Sequence, residues 1–177
     1  IKIKPNHVDI WYNKGIALGL LGRHQKAIGC FEQAIKINQN HVDAQINKGN
    51  ALGLLGKHQD AIECFEQAIK IKPDNVDALY NKGSAYLRLE KYEEAIGCFD
   101  KALKINPNIA SVWHNMGLSL GKLGRYDMAI KCFDNAIKLN PNYENAWHNK
   151  GLALGKIGKH EEATKCYEQA RKINPDY

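Results

Sequence analysis

One segment of the chain, Ala129 to Pro141 with the sequence AIKCFDNAIKLNP, returns with small changes every 34 residues. Aligned on an alanine, an aromatic and a second alanine, the copies are Ala27/Phe31/Ala34, Ala61/Phe65/Ala68, Ala95/Phe99/Ala102, Ala129/Phe133/Ala136 and Ala163/Tyr167/Ala170. Ala129, Ile130, Phe133, Ala136 and Ile137 fall at i, i+1, i+4, i+7 and i+8, which is one face of an amphipathic helix. A closing proline cannot continue that helix, so the copies end where the pattern ends. One such helix cannot bury its apolar face alone, whereas five in register can do so by stacking. The fixed period therefore predicts a repeat array that has no single globular core and grows by adding units.

Ile1-Lys2-Ile3-Lys4-Pro5 repeats Ile69-Lys70-Ile71-Lys72-Pro73 letter for letter. Residues 1–7 thus read as the tail of a preceding repeat, and full repeats are expected over 8–41, 42–75, 76–109, 110–143 and 144–177, forming a single array. Each repeat should open with a first helix. In the fourth it is predicted over Ser111 to Leu123, turning Val112, Trp113, Met116, Leu120 and Leu123 toward its neighbours. Gly22, Gly56, Gly124 and Gly158 follow these helices, as a left-handed closing residue would. The third repeat carries Glu90 there, so some strain is expected. Gly15, Gly49, Gly83, Gly117 and Gly151 sit mid-helix at a cost of about 1 kcal/mol each. Close approach of the two backbones of a pair is the expected reason. Gly19, Gly53, Gly121 and Gly155 read as loose final turns in preference to a groove floor.

A composition of 44% hydrophobic and 25% charged residues is that of an ordinary folded chain. No apolar run reaches the roughly 18 residues of a membrane span, and no stretch has signal-peptide form. Cys30, Cys64, Cys98, Cys132 and Cys166 recur once per repeat. Their odd number, the absence of C-x-x-C and the spacing of stacked helices point to inert, reduced thiols and a cytoplasmic protein. The net charge is +6, yet Lys36, Lys70, Lys104, Lys138 and Lys172 lie where each second helix ends and complement its dipole. No dense basic run with interleaved aromatics suggests nucleic acid.

The motifs resemble the tetratricopeptide repeat family, whose period is also about 34 residues. Trp11-Tyr12-Asn13-Lys14-Gly15, Trp113-His114-Asn115-Met116-Gly117 and Trp147-His148-Asn149-Lys150-Gly151 match its first half. The alanine, aromatic, alanine and proline match its second. The departures are local: lysine or Met116 stands before the glycine, Tyr86 alone keeps the family's later tyrosine, and Gln39 replaces a proline. The resemblance implies an all-α, right-handed superhelical solenoid of five helix-turn-helix repeats. It also implies a non-enzymatic scaffold that binds an extended peptide or a partner segment in a groove lined by the first helices.

Within that groove the residues to follow are Asn13, Asn47, Asn81, Asn115 and Asn149, one amide per repeat. Each can donate to a peptide carbonyl and accept from its N–H. Beside them are expected Tyr12, Ile46, Tyr80, His114 and His148, where aromatics can anchor partner side chains. His114 and His148 read as a surface pair too far apart to share a metal. Asp9, Asp43 and Asp77 open the first three repeats and offset helix dipoles, while Arg88, Lys122 and Lys156 lie later on first helices. These charges allow a groove that is acidic early and more basic late. The family's carboxylate clamp is not supported, because its cationic places hold Asp, Tyr, Ile, His and Asn.

No nucleophile elbow, phosphate loop, metalloprotease motif or paired carboxylates occur, so no catalytic residue, cofactor or metal is expected. The expected partner is a protein or peptide, with no nucleic acid and no membrane. Two alternatives stand beside it. One is a head-to-tail self-assembling array joined through uncapped ends, with Ala163, Tyr167, Ala170 and Ile173 facing water on the last helix. The other is the substrate-recruiting part of a larger enzyme.

Overall fold

The computed structural model describes residues 8–175. The expected tail of a preceding repeat at 1–7 and the last two residues of the fifth repeat lie outside them. Among the described residues there are ten α-helices and no strands. They divide into two compact units, one ending at Leu89 and the other beginning at Glu90. The 34-residue period of the sequence runs through that boundary, which falls inside the third repeat.

The first unit holds α1 (Val8–Leu20), α2 (His24–Ile37), α3 (Val42–Leu54), α4 (His58–Ile71) and α5 (Val76–Arg88). Each helix packs on the next, and α1 touches α3 as α3 touches α5. The second unit holds α6 (Tyr92–Ile105), α7 (Ala110–Lys122), α8 (Tyr126–Leu139), α9 (Glu144–Lys156) and α10 (His160–Ile173). Again successive helices pack, and α7 touches α9. In both units the odd-numbered first helices meet across the intervening second helix, while α2 with α4 and α8 with α10 do not. Each stack is therefore closed on the side of the first helices, which is the side that carries the asparagine row.

The alanine–aromatic–alanine face forms the core as its spacing predicts. Ala27, Ala61, Ala95 and Ala129 are fully buried, and Phe31, Phe65, Phe99 and Phe133 are at most 3% exposed. The helix ends follow the local sequence. Asn38, Lys72, Asn106, Asn140 and Asn174 close the second helices in extended conformation. Before Pro73, Pro107, Pro141 and Pro175 that is the conformation a following proline imposes. Asn106 Oδ1 then accepts from the Asn108 amide at 3.0 Å, and Trp113 donates Nε1–H to the Pro107 carbonyl at 2.8 Å. Trp147 makes the same bond to Pro141 at 2.9 Å. The tryptophan of one repeat is thus tied to the proline turn of the repeat before it.

Gly22, Gly56, Gly124 and Gly158 have φ between 71° and 81°, and Glu90 takes the same left-handed turn at φ 58°. The mid-helix glycines have a different purpose from the one expected. A Cβ on Gly15, Gly49 or Gly117 would lie 2.5–2.6 Å from the ring of Phe31, Phe65 or Phe133, and one on Gly151 would lie 2.6 Å from Tyr167. The glycine is a seat for the aromatic of its own hairpin, so a ring, and no bare backbone contact, fills the space.

Two further expectations are corrected. Leu123 lies just past the end of α7 and is 36% exposed, because the helix starts one residue early and stops at Lys122. Ala163 and Ala170 on α10 do not face water; they are 4% and 1% exposed because that face packs on α9, and Tyr167 and Ile173 are half-buried. All five cysteines are free and buried. Burial raises the Cys64 and Cys166 thiols and pushes Cys132 up to about 11. No helix among the described residues is long and apolar enough to cross a membrane.

Candidate functional site: a recurring pocket on the first-helix face

The asparagine row splits into two kinds of residue. Asn47 on α3 donates Nδ2–H to Tyr12 Oη on α1 at 3.1 Å. Asn149 on α9 donates Nδ2–H to His114 Nε2 on α7 at 3.0 Å. In both cases the amide reaches back 35 residues to the position just before the asparagine of the preceding repeat. Where that position is apolar the bond cannot form: the residue before Asn81 in this sense is Ile46, which is buried at 8%. Among the described residues the side chains of Asn81 and Asn13 make no hydrogen bond, and Asn13 is exposed. Asn115 accepts through Oδ1 from the ring of His114, at 3.2 Å.

The residues expected to anchor a partner are themselves packed. Tyr12 stacks at a tilt on His41 with ring centroids 4.8 Å apart, and lies 6.1 Å from Phe31. Burial, with the charge of Asp43 adding to it, raises the Tyr12 phenol. His114 lies 4.8 Å from Tyr143 and 5.8 Å from Phe133. Positions 12 and 41 thus hold Tyr and His, while the equivalent positions 114 and 143 hold His and Tyr: one aromatic pair, exchanged between two repeats. His114 is 7% exposed, which corrects the expectation of a surface histidine. Its ring sits between Phe133 and Tyr143, and burial lowers its pKa against the opposing pull of the Asn115 side chain and the Asn145 backbone. With Asn149 donating to Nε2, Nδ1 carries the proton toward Asn115 Oδ1, which is the neutral form that burial favours. His148 and Tyr80 hold the same place in their repeats and are half-buried, His148 lying 5.6 Å from Tyr167.

In front of these bonds lies a cavity, and it recurs. In the second unit a space of about 370 Å³ opens between α7, α8 and α9. Phe133 floors it, Leu118, Leu152 and Ala153 wall it, and Asn149 lies at its edge with Tyr126, Lys122 and Lys156. In the first unit a space of about 170 Å³ lies between α1, α2 and α3, bounded by Ile16, Leu20, Phe31, Asn47, Asn50 and Leu54. These are the same positions in another repeat, 102 residues apart. Gly19 and Gly121 line the two spaces, and a Cβ on either would meet nothing within 4 Å. They stand next to last in α1 and α7, in the final turn of each helix as expected, and leave the cavity open.

The profile of the cilia and flagella-associated protein 70 C-terminal domain, a tetratricopeptide-repeat domain, matches residues 38–174, and the tetratricopeptide repeat profile itself matches residues 8–41. The chain belongs to the tetratricopeptide repeat family. Among solved structures it is similar to MamA, at 25% identity and a TM-score of 0.86 over 92% of this chain and 95% of that one. A MamA from Desulfovibrio magneticus RS-1 shares 18% identity at a TM-score of 0.91, covering 98% and 97%. YrrB, described as a tetratricopeptide repeat protein with an unusual peptide-binding site, shares 22% identity at a TM-score of 0.82, covering 97% and 89%. No curated protein sequence matches the chain.

Sequence reasoning also missed an ion-pair row. The lysines that replace the family's leucine reach across to the preceding second helix. Lys48 pairs with Glu32 at 2.9 Å, Lys82 with Glu66 at 2.8 Å and Lys150 with Asp134 at 2.7 Å. Met116 breaks the row, and Asp100 turns instead to Lys104 at 2.6 Å. The signal was present as an acid 16 residues before each lysine, a spacing that has meaning only once the helices are stacked. Among the described residues no group of three or more histidine, cysteine or acidic side chains is placed to hold a metal.

Proposed function

We propose that the chain is a cytoplasmic protein-interaction module that takes an extended peptide, or a segment of a partner protein, on the first-helix face. The observation that carries this reading is the recurrence of one pocket, with one asparagine at its edge, at the same repeat position in both units. A guest side chain enters the pocket of a unit, and the guest backbone is held by that unit's asparagines: Asn13, Asn47 and Asn81 in the first, Asn115 and Asn149 in the second. A primary amide offers two donor hydrogens and an acceptor oxygen. Asn47 and Asn149 spend one donor on the preceding repeat and keep the rest for the guest. Tyr12 and His114 act by orienting those amides, and Tyr80 and His148 by holding the same position in their repeats. No catalytic step is assigned to the chain.

Selection from a displayed library of short random peptides tests this. The full chain should enrich a set of peptides, and the Asn13→Ala/Asn81→Ala variant should bind them about fivefold or more weakly, as the loss of two hydrogen bonds implies. Its Tm should not change, because neither side chain is hydrogen-bonded among the described residues. Unchanged affinity in that variant would remove the asparagines from the site.

A further inference from the structure

Resting on the groove reading above, we infer that the pocket of the second unit selects partner segments in which an acidic side chain lies next to a bulky apolar one. Lys122 and Lys156 occupy equivalent positions in the last turns of α7 and α9, and both line the cavity. Among the described residues neither has a carboxylate within ion-pairing reach, whereas Lys48, Lys82 and Lys150 on the same kind of helix are all neutralised. No carboxylate lines the cavity. The two lysines therefore line a space that also has the apolar walls Leu118, Phe133 and Leu152, the last 48% exposed, with Asn149 and Tyr126 at its edge.

The first unit supplies an internal contrast. Its pocket carries Leu20 and Leu54 where the second carries Lys122 and Lys156, and these leucines are 86% and 70% exposed. The same cavity is thus apolar-rimmed in one unit and cation-rimmed in the other. An apolar guest side chain fills either pocket, while only the second offers charge-assisted hydrogen bonds to a carboxylate beside it. A lysine at a helix C-terminus also complements the dipole. That role alone does not change which peptide is chosen, so peptide choice separates the two.

The test is selection from the same random peptide library, with the full chain and with its Lys122→Gln/Lys156→Gln variant. Wild type should enrich peptides carrying aspartate or glutamate beside leucine, isoleucine, phenylalanine or methionine. The variant should lose the acidic preference and keep the apolar one. A synthetic peptide from the wild-type set should bind about tenfold tighter than its glutamine isostere, and the two should bind equally to the variant. Enriched peptides without excess acid, or an acidic preference that survives in the variant, would overturn the inference while leaving the groove reading standing. Failure to enrich any peptide would overturn both. Binding of single-stranded RNA through the same two lysines, in place of acidic peptides, would also overturn it.

Discussion

Gly117 and Gly121 lie one turn apart on α7 and lack a side chain for opposite reasons. At Gly117 there is no room: a Cβ would lie 2.6 Å from Phe133, whose ring is 2% exposed and cannot swing aside. At Gly121 there is nothing within 4 Å. Gly117→Ala should therefore destabilise by about 1–2 kcal/mol, overpacking outweighing the gain in helix propensity. Gly29→Ala and Gly97→Ala, exposed and mid-helix with open space around them, should each stabilise by about 0.5–1 kcal/mol. Urea denaturation of the three variants reads both signs. His114 gives a pH prediction. Its folded pKa lies below the 6.5 of a free histidine, because burial disfavours the charged ring. The unfolded chain then binds the proton more readily, so this contribution is complete above pH 6.5 and is lost as the pH falls toward the folded value. Protonation also turns Nε2 into a donor facing the Asn149 amide. The double change His114→Tyr/Tyr143→His transplants the arrangement of Tyr12 and His41, and stability curves from pH 7 to 5 should flatten in it. An unaltered pH slope would show that His114 does not carry it.

The helix hairpins were legible before the structure in proportion to how local their causes are. The apolar face of the second helices depends only on a 3.6-residue period, and the closing glycines only on backbone sterics. Both read directly from the letters. Glu90 follows from the same sterics: it adopts φ 58°, which costs a residue with a Cβ more than it costs glycine. Glu90→Gly should raise stability by a few tenths to about 1 kcal/mol, measured by chemical denaturation. No gain would mean that contacts of the Glu90 side chain offset the strain. What could not be read were features that exist only between elements. The use of the mid-helix glycines depends on where a ring from the second helix lands. The pairing of Lys48 with Glu32 joins two helices of different repeats, and the burial of His114 follows from Tyr143, in the turn between α8 and α9. The asparagine row was visible as a pattern, but its division into bonded and unbonded members turns on whether the partner position holds Tyr12, Ile46 or His114.

For the molecule as a whole, the repeated sequence supplies a repeated site, and substitutions at its rim give the copies different chemistry. The net charge of +6 matters less than its placement: Lys36, Lys70, Lys104, Lys138 and Lys172 lie in the last turns of second helices, Lys48, Lys82 and Lys150 pair with acids, and Lys122 and Lys156 line the pocket of the second unit. A guest chain that uses these pockets must contact the amides in passing. Side-chain amide resonances of the asparagines, followed by NMR during titration with a library-selected peptide, report this directly. The account predicts shifts at Asn81 and Asn149 together with Leu118 and Leu152, and none at Gln67 or Lys131 on the exposed side of the second helices. Shifts confined to Gln67, Lys131 and their neighbours, with the asparagine amides unmoved, would contradict it.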